Sequence, residues 1–415
     1  MPQLLPLAAL RYDSRAVPDL GAVLCPPYDI ISAQERARLA ARDPRNAVHV
    51  ELPTAAPGED PYAAAAGVFE RWQSDGVLRR DDRPWLYVYE QAFAGGVARG
   101  FFCRLRLEQP GASVRRHERT MAGPKEDRLR LLRAVRANLS PVLLLYDDGA
   151  RGARSRALLD ELSDTAPVAT ASDDGGTRHR LWLVDPAAKA AAELLALGAR
   201  DGLTIADGHH RYETALRHRD EVGRGSGADY VLALLYDASS GGLQILPTHR
   251  LLSGVGDGTA LLDEVDTLFE RQPAADGATL AAAVARAGEG TLGLWTRAGG
   301  GLLRARANAI APRLPAGPAA LRRLDVSVLG AALREICAAD PDALAESGRL
   351  SYTKDAALAL AEVEAGRVDA CFLLAPTPVQ DVLAVAAAGE LMPPKSTYFV
   401  PKAATGMLFN LLDQK

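Results

Sequence analysis

Pro141 is followed by Val142-Leu143-Leu144-Leu145-Tyr146, five residues with no charged or amide side chain among them. Successive side chains of a strand point to opposite faces, so a strand with this reading is expected to be buried on both. The surrounding chain is punctuated by Gly and Pro into short pieces that suit such a layered arrangement. The spacing predicts a helix over 32–42, where Ser32 and Glu35 form a capping-box pattern. Segments 86–90 and 101–107 read as a hairpin turning at Gly95-Gly96. A helix is expected from Pro124 to about Asn138, with Leu129, Leu132 and Val135/Arg136 at helical spacing.

Farther along, strands are expected at 181–184, 203–206, 230–236 and 243–246, with helices over 186–197 and 209–222; 221–228 is the most loop-like interior stretch. The alternation continues with helices near 259–271, 277–287, 316–337 and 355–365, and strands near 292–296, 302–306 and 369–374. The expected class is α/β, mixed sheets with helices. Residues 1–255 form a motif-rich part and residues 256–415 a C-terminal α/β part that carries a Pro-Lys-Ser-Thr segment.

Composition narrows the function classes. With 48% hydrophobic and 24% charged residues the 415-residue chain has the means to bury a core. A net charge of −4 argues against nucleic-acid or membrane-surface binding. The four cysteines, Cys25, Cys103, Cys337 and Cys371, form no C-x-x-C pair, so a zinc ribbon is unsupported. No apolar run approaches the ~18–20 residues of a membrane span, and Met1-Pro2-Gln3 opens no signal peptide, so a cytoplasmic location with reduced thiols is expected. Only six of the 48 basic residues are lysine, which leaves 42 arginines and makes each lysine a weak marker for a required ammonium.

The sharpest local feature is Ile205-Ala206-Asp207-Gly208-His209-His210-Arg211-Tyr212-Glu213-Thr214-Ala215. A strand ends, a glycine turns the chain, and a helix starts with two histidines and an arginine in its first turn. The first N–H groups of a helix lack intrahelical partners and the dipole there is positive, so the place suits an anion such as phosphate. Cations at that end oppose the dipole, a conflict expected mainly where function demands it. A solvated turn is the plainer alternative. Zinc is disfavoured, since adjacent histidines diverge and His210 and His218 lie two turns apart; Tyr212, Ala215 and Leu216 read as the buried stripe.

A second constellation, Arg115-Arg116-His117-Glu118-Arg119-Thr120 followed by Gly123-Pro124-Lys125-Glu126-Asp127-Arg128, sets a carboxylate among cations in a loop between strand and helix. Either Glu118 takes a proton from a substrate hydroxyl, or the stretch is a charged surface turn. Cys25-Pro26-Pro27-Tyr28-Asp29-Ile30-Ile31 is a stiff segment with Asp29 facing a ligand or helping the turn. Met392-Pro393-Pro394-Lys395-Ser396-Thr397-Tyr398-Phe399-Val400-Pro401-Lys402 places two of the six lysines beside two hydroxyls, and Thr248-His249-Arg250 ends a strand. No G-x-x-x-x-G-K-[ST] loop, strand–G-x-G-x-x-G unit or G-x-S-x-G elbow is present, which removes support for P-loop kinases, dinucleotide dehydrogenases and α/β-hydrolases.

The ordered motifs Pro26-Pro27-Tyr28-Asp29, His117-Glu118-Arg119-Thr120, Gly123 to Arg128, Asn138-Leu139-Ser140-Pro141, Ala206 to Glu213, Leu246-Pro247-Thr248-His249-Arg250 and Pro394 to Phe399 resemble the bacterial family catalogued as Domain of Unknown Function 1015. The resemblance covers almost the whole chain. Gly330 stands where the family commonly has histidine and Ala375 where it commonly has asparagine, which argues against catalysis by the C-terminal half. The string 208–215 is also similar to the nucleotide-phosphate motif of the ParB/sulfiredoxin superfamily. Sulfiredoxins carry a reactive cysteine where this chain has His209, so sulfinic-acid repair is not implied. Other members with Asp-Gly-His-His-Arg phosphorylate free L-serine.

This resemblance implies a ParB/sulfiredoxin-like nucleotide-binding part and a kinase that moves a phosphoryl group from ATP or ADP to a small-molecule hydroxyl, with free L-serine as first candidate. Gly208, His209, His210 and Arg211 would hold the phosphates and Asp207 a Mg²⁺ ion or the turn. Glu118 would be the general base with Asp29 in reserve and His210 close to the chemistry, while Arg119, Lys125 and Lys395 would neutralise charge. The alternative is a non-enzymatic nucleotide-binding regulator of ParB-like type. A homo-oligomer is compatible with either, and neither a nucleic-acid nor a membrane partner is expected.

Overall fold

The computed structural model describes residues 1–111, 113–119, 123–149, 152–256 and 258–413, with the backbone alone at Gly123 and Pro124. The class is mixed α/β. The chain forms two compact units: Met1–Arg116, Thr120–Gln244 and Pro401–Lys415 make the first, and His117–Arg119 with Ile245–Val400 the second. The division therefore falls after Gln244 and not at 255, because His249–Leu252 is an inner strand of the second unit's sheet, between Ala370–Leu373 and Leu350–Thr353. The last segment belongs to the first unit because Cys25 pairs with Thr405, Leu10 with Phe409, and Asn138 with Asn410.

The first unit is built on a sheet whose described strands run in the order Val114–Arg115, Leu203–Asp207, Val142–Tyr146, Tyr230–Asp237, Gly96–Arg106, Leu86–Phe93, Arg178–Val184 and Ala169–Ser172, with Leu4–Leu5 also paired to Gly96–Arg106. The apolar run is an inner strand, antiparallel to Leu203–Asp207 and parallel to Tyr230–Asp237. None of its five residues is more than 2% exposed, as a strand apolar on both faces requires. Val142, Leu144 and Tyr146 share a core with Phe101, Ile205 and Leu235. The helix His209–Val222 adds Tyr212, Ala215 and Leu216 to it, the stripe read from the sequence. A separate core gathers Phe69, Trp72, Leu131, Val135 and Phe409.

In the second unit six described strands run Phe269–Pro273, Gly299–Ala305, Leu292–Thr296, Ala370–Leu373, His249–Leu252, Leu350–Thr353. Leu280 and Val284 of one helix and Ala359 and Val363 of another pack on Leu251, Trp295 and Cys371.

Several boundaries move for tertiary reasons. Ser32 accepts from the Glu35 N–H at 3.2 Å and starts Ala33–Arg42 as expected. The helix expected to reach Asn138 ends at Val135; Arg136 adopts φ +53°, and Ala137–Asn138 pairs with Asn410–Leu411. The helix expected to reach 271 stops at Leu268, because Phe269–Pro273 is recruited to the sheet edge by Gly299–Ala305. The stretch 316–337 holds two helices, Ala319–Arg323 and Asp325–Cys337, separated by Leu324 in an extended conformation at ψ 135°.

Truncating the inner strand should show how much rests on it. Leu144→Ala is expected to lower stability by about 3 kcal/mol, the cost of a buried Leu cavity, read as a lower urea midpoint with unchanged slope.

Candidate functional site

The strand Leu203–Asp207 delivers the motif through an irregularity. Ile205 pairs with Leu144 and Asp207 with Leu143, so Ala206 is an extra residue in the ladder. Strict alternation would put Asp207 on the face of fully buried Ile205; the bulge breaks that alternation just before the turn. Gly208 then takes φ +87°, and a Cβ there would come within 3.0 Å of the Arg211 guanidinium. Both the backbone angle and the close approach call for glycine. The Gly208 carbonyl accepts from Tyr212 N–H, which opens the helix His209–Val222. The backbone N–H groups of His209, His210 and Arg211 precede the first intrahelical bond and face its positive end.

Asp207 holds two cations. Its Oδ2 accepts from Arg211 Nη2 and its Oδ1 from Lys402 Nζ, each at 2.5 Å, with all three side chains at most 15% exposed. Burial alone would raise the Asp207 carboxyl; Lys402 and Arg211 outweigh it and hold the group well below the usual carboxylate range. Arg211 also donates to the Pro141 carbonyl, at the entry to the inner strand. Its Nε is buried and has no hydrogen-bond partner among the described residues. Two cations against one carboxylate at a helix N-terminus can bind an anion, and phosphate oxygens suit the guanidinium fork.

The Tyr28–Ile30 turn of 3₁₀ helix borders this cluster. Tyr28 Oη lies 3.5 Å from His210 Nδ1, and the Arg128 guanidinium sits 4.1 Å from the Tyr28 ring centroid. Burial and Asp29, against Arg211 and Arg128, push the Tyr28 phenol up to about 12. Asp29 is exposed and near enough to help hold Arg211 protonated. Behind Arg211 is a cavity of about 50 Å³ lined in part by Glu51, Arg128, Ser140 and Thr214. Buried Glu51 accepts from Ser140 Oγ at 2.6 Å, and its carbonyl accepts from Arg128 at 2.7 Å. Lys125 and Arg116 both close on Glu213, at 2.6 and 2.8 Å.

The second unit holds the other suspected residues. His117 is fully buried with Nε2 2.9 Å from Thr397 Oγ1. Glu118 accepts from the Lys395 backbone N–H at 2.9 Å, and its other oxygen lies 3.5 Å from Thr397 Oγ1. Lys395 is exposed and adopts φ +58°, and its carbonyl accepts from buried Arg250 at 3.2 Å. Arg119 lies 3.8 Å from Asp342. Thr120 and Lys415 lie outside the described residues.

Residues 4–327 match the sequence profile of the family described as Protein of unknown function (DUF1015). The chain belongs to the DUF1015 family. No curated protein matches the sequence of this DUF1015 chain. Solved structures similar to it include a free serine kinase in complex with AMP, at 13% identity and TM-score 0.38, covering 71% of this chain and 90% of that one. Others are a conserved hypothetical protein from Pyrococcus furiosus, at 14% identity and TM-score 0.37, covering 75% and 100%, and SbnI with C-terminal truncation from Staphylococcus aureus, at 11% and 0.37, covering 71% and 83%. Likenesses this distant leave the functional reading to the DUF1015 chain's own geometry.

Of the residues singled out from the sequence, Asp207, Gly208, His209, His210, Arg211 and Asp29 come together in the first unit, whereas Glu118, Arg119 and Lys395 belong to the second. Lys125 is in the first unit but is engaged by Glu213. Both oxygens of Asp207 face cations, so its carboxylate orders the turn; among the described residues no group of three or more His, Cys, Asp or Glu is placed to hold a metal ion. No described helix is long and apolar enough to cross a membrane. Sequence reasoning missed the partner of Lys402, although lysine scarcity marked that position, and missed Glu51, for which no sequence signal exists.

Removing the central carboxylate tests this electrostatic account. Asp207→Asn leaves two mostly buried cations without their counter-ion and is expected to cost about 3 kcal/mol at neutral pH by urea unfolding. The folded carboxyl titrates below its unfolded value, so the stabilisation is full above the ordinary Asp range and is lost as pH falls through the folded value. The gap between native protein and variant should accordingly close in strong acid.

Proposed function

We propose that the first unit binds a nucleotide by its phosphates at 208–211, and that the protein transfers a phosphoryl group from ATP or ADP to the hydroxyl of a small metabolite, free L-serine being the first candidate. The observation that carries this reading is the pairing of Gly208 at φ +87° with a helix N-terminus where Arg211 and Lys402 outnumber the carboxylate that orders them. The intact Asp-Gly-His-His-Arg string supports it. Such chemistry is mostly positioning and charge stabilisation, which a cationic site can supply.

In the proposed step the metabolite oxygen forms a bond to the terminal phosphorus, the bridging P–O bond breaks, and ADP leaves from ATP or AMP from ADP. The hydroxyl proton passes to a carboxylate. Asp29 is assigned that role, since it is exposed on the same unit and electrostatically linked to Arg211, whereas Glu118 is engaged by Lys395 in the second unit.

The test incubates the full chain with ATP or ADP, Mg²⁺ and a panel of hydroxy-amino acids including L-serine, followed by ³¹P NMR and mass spectrometry. A phosphorylated acceptor is expected. Arg211→Ala should weaken nucleotide binding at least about tenfold through a lost charge-assisted bond. Asp29→Asn should lower turnover by about 10²–10⁴ with nucleotide binding kept; if Glu118→Gln does so instead, the base is reassigned. Unchanged nucleotide binding by Arg211→Ala overturns the site. Binding with no product from any acceptor favours the regulatory reading.

A further inference from the structure

The helix Asp325–Cys337 of the second unit presents Ser327, Gly330 and Arg334 on one face, spaced i, i+3 and i+7, to a cavity of about 100 Å³. Nothing in the phosphate site uses this cavity. Ser327 is 2% exposed, and its Oγ has no hydrogen-bond partner among the described residues. A buried hydroxyl left this way is costly, and a ligand group can satisfy it. Gly330 keeps the space open: a Cβ there would meet nothing nearer than Pro341 Cγ at 3.8 Å and Arg334 Nη1 at 3.9 Å. Leu321, Val326 and Leu391 make much of the remaining wall apolar.

The charges lie at the rim. Arg119 is 3.8 Å from Asp342 and Arg334 is 3.4 Å from Asp340, all four side chains being 40–70% exposed. Pairs this loose and wet contribute little and rearrange readily. Their balance is informative, since a simple anion would meet two carboxylates and a simple cation two guanidiniums.

We propose that this cavity binds a small zwitterion, a molecule with a carboxylate and an ammonium on a short body, of which a free α-amino acid is the simplest. Its carboxylate takes the guanidinium fork of Arg119 or Arg334 and its ammonium takes the carboxylate so released. The side chain enters the apolar space, where a hydroxyl reaches Ser327 Oγ. The proposal stands apart from the nucleotide reading, because binding is measured without nucleotide and the variants lie in the second unit.

The test is titration calorimetry of the full chain with L-threonine and L-valine, which share a shape and differ by a hydroxyl for a methyl. Saturable binding of both is expected, with threonine tighter by about three- to tenfold. Ser327→Ala should bring the two within about twofold of each other. Gly330→Leu should fill the cavity and weaken both at least about tenfold, with circular dichroism checking its fold; if it does not fold, the Ser327→Ala comparison decides. Isovalerate, which is valine without its ammonium, and isobutylamine, which is valine without its carboxylate, should each bind at least about tenfold more weakly than valine. No saturable heat with either amino acid, valine binding as tightly as threonine in the native protein, isovalerate matching valine, or folded Gly330→Leu binding like the native chain overturns the proposal.

Discussion

The charge cluster at Asp207 is the constraint on which the rest of the first unit's site depends. Burying an arginine and a lysine side by side is unfavourable unless a carboxylate stands between them, and here one carboxylate serves both. The partners come from distant parts of the chain, with Lys402 lying 195 residues beyond Asp207. That bond fixes the last segment as well as the turn. The Lys402 carbonyl accepts from Gln91 at 2.8 Å, and Gln91 in turn accepts from Tyr236 at 2.8 Å, so the ammonium is referenced to two strands of the sheet. Thr405, Phe409 and Asn410 then pair along the same unit.

Geometry at the motif follows from the sheet and not from the loop alone. The inner strand is buried along its whole length, and Arg211 donates to the carbonyl of Pro141, just outside it. On the neighbouring strand the extra residue at Ala206 turns Asp207 away from the register of Ile205. A bulge re-aims one side chain at small cost to pairing, and it does so here at the point where the chain needs a carboxylate beside a helix N-terminus.

Much of this was legible in the residues because it is local. The apolar run, the Ser32 cap, the hairpin expected at Gly95-Gly96, which turns one residue earlier at Ala94-Gly95, and the helix after Gly208 are each written within a dozen positions. What was not legible depends on pairing across the chain. Phe269–Pro273 has helix-compatible neighbours and becomes a strand only because Gly299–Ala305 offers it an edge. The fate of 137–138 is decided by residues 410–411. Charges behave the same way: a lysine can be suspected from its rarity, but which carboxylate it meets is a property of the folded sheet. Lys125 was suspected on the same ground and is taken by Glu213, one turn beyond His209.

Lys395 and Lys402 show why residue type alone misled. Seven positions apart in a proline-bordered segment, they looked like equivalent cations. Lys402 does act through its ammonium, a compact charge that fits beside Arg211 on one carboxylate where a second guanidinium fork would compete for the same oxygens. Lys395 acts through its backbone: at φ +58° its N–H points to Glu118 and its carbonyl to Arg250. Arg250 needs such an acceptor, because burial pushes its pKa down to about 10 and its bonds go to the carbonyls of Thr248 and Lys395. The two units thus hold a buried arginine in different ways. The first pairs it with a carboxylate that a lysine shares, while the second gives it the carbonyls of Thr248 and Lys395 as acceptors, with Tyr352 and the Glu118 carboxylate near enough to favour its charge.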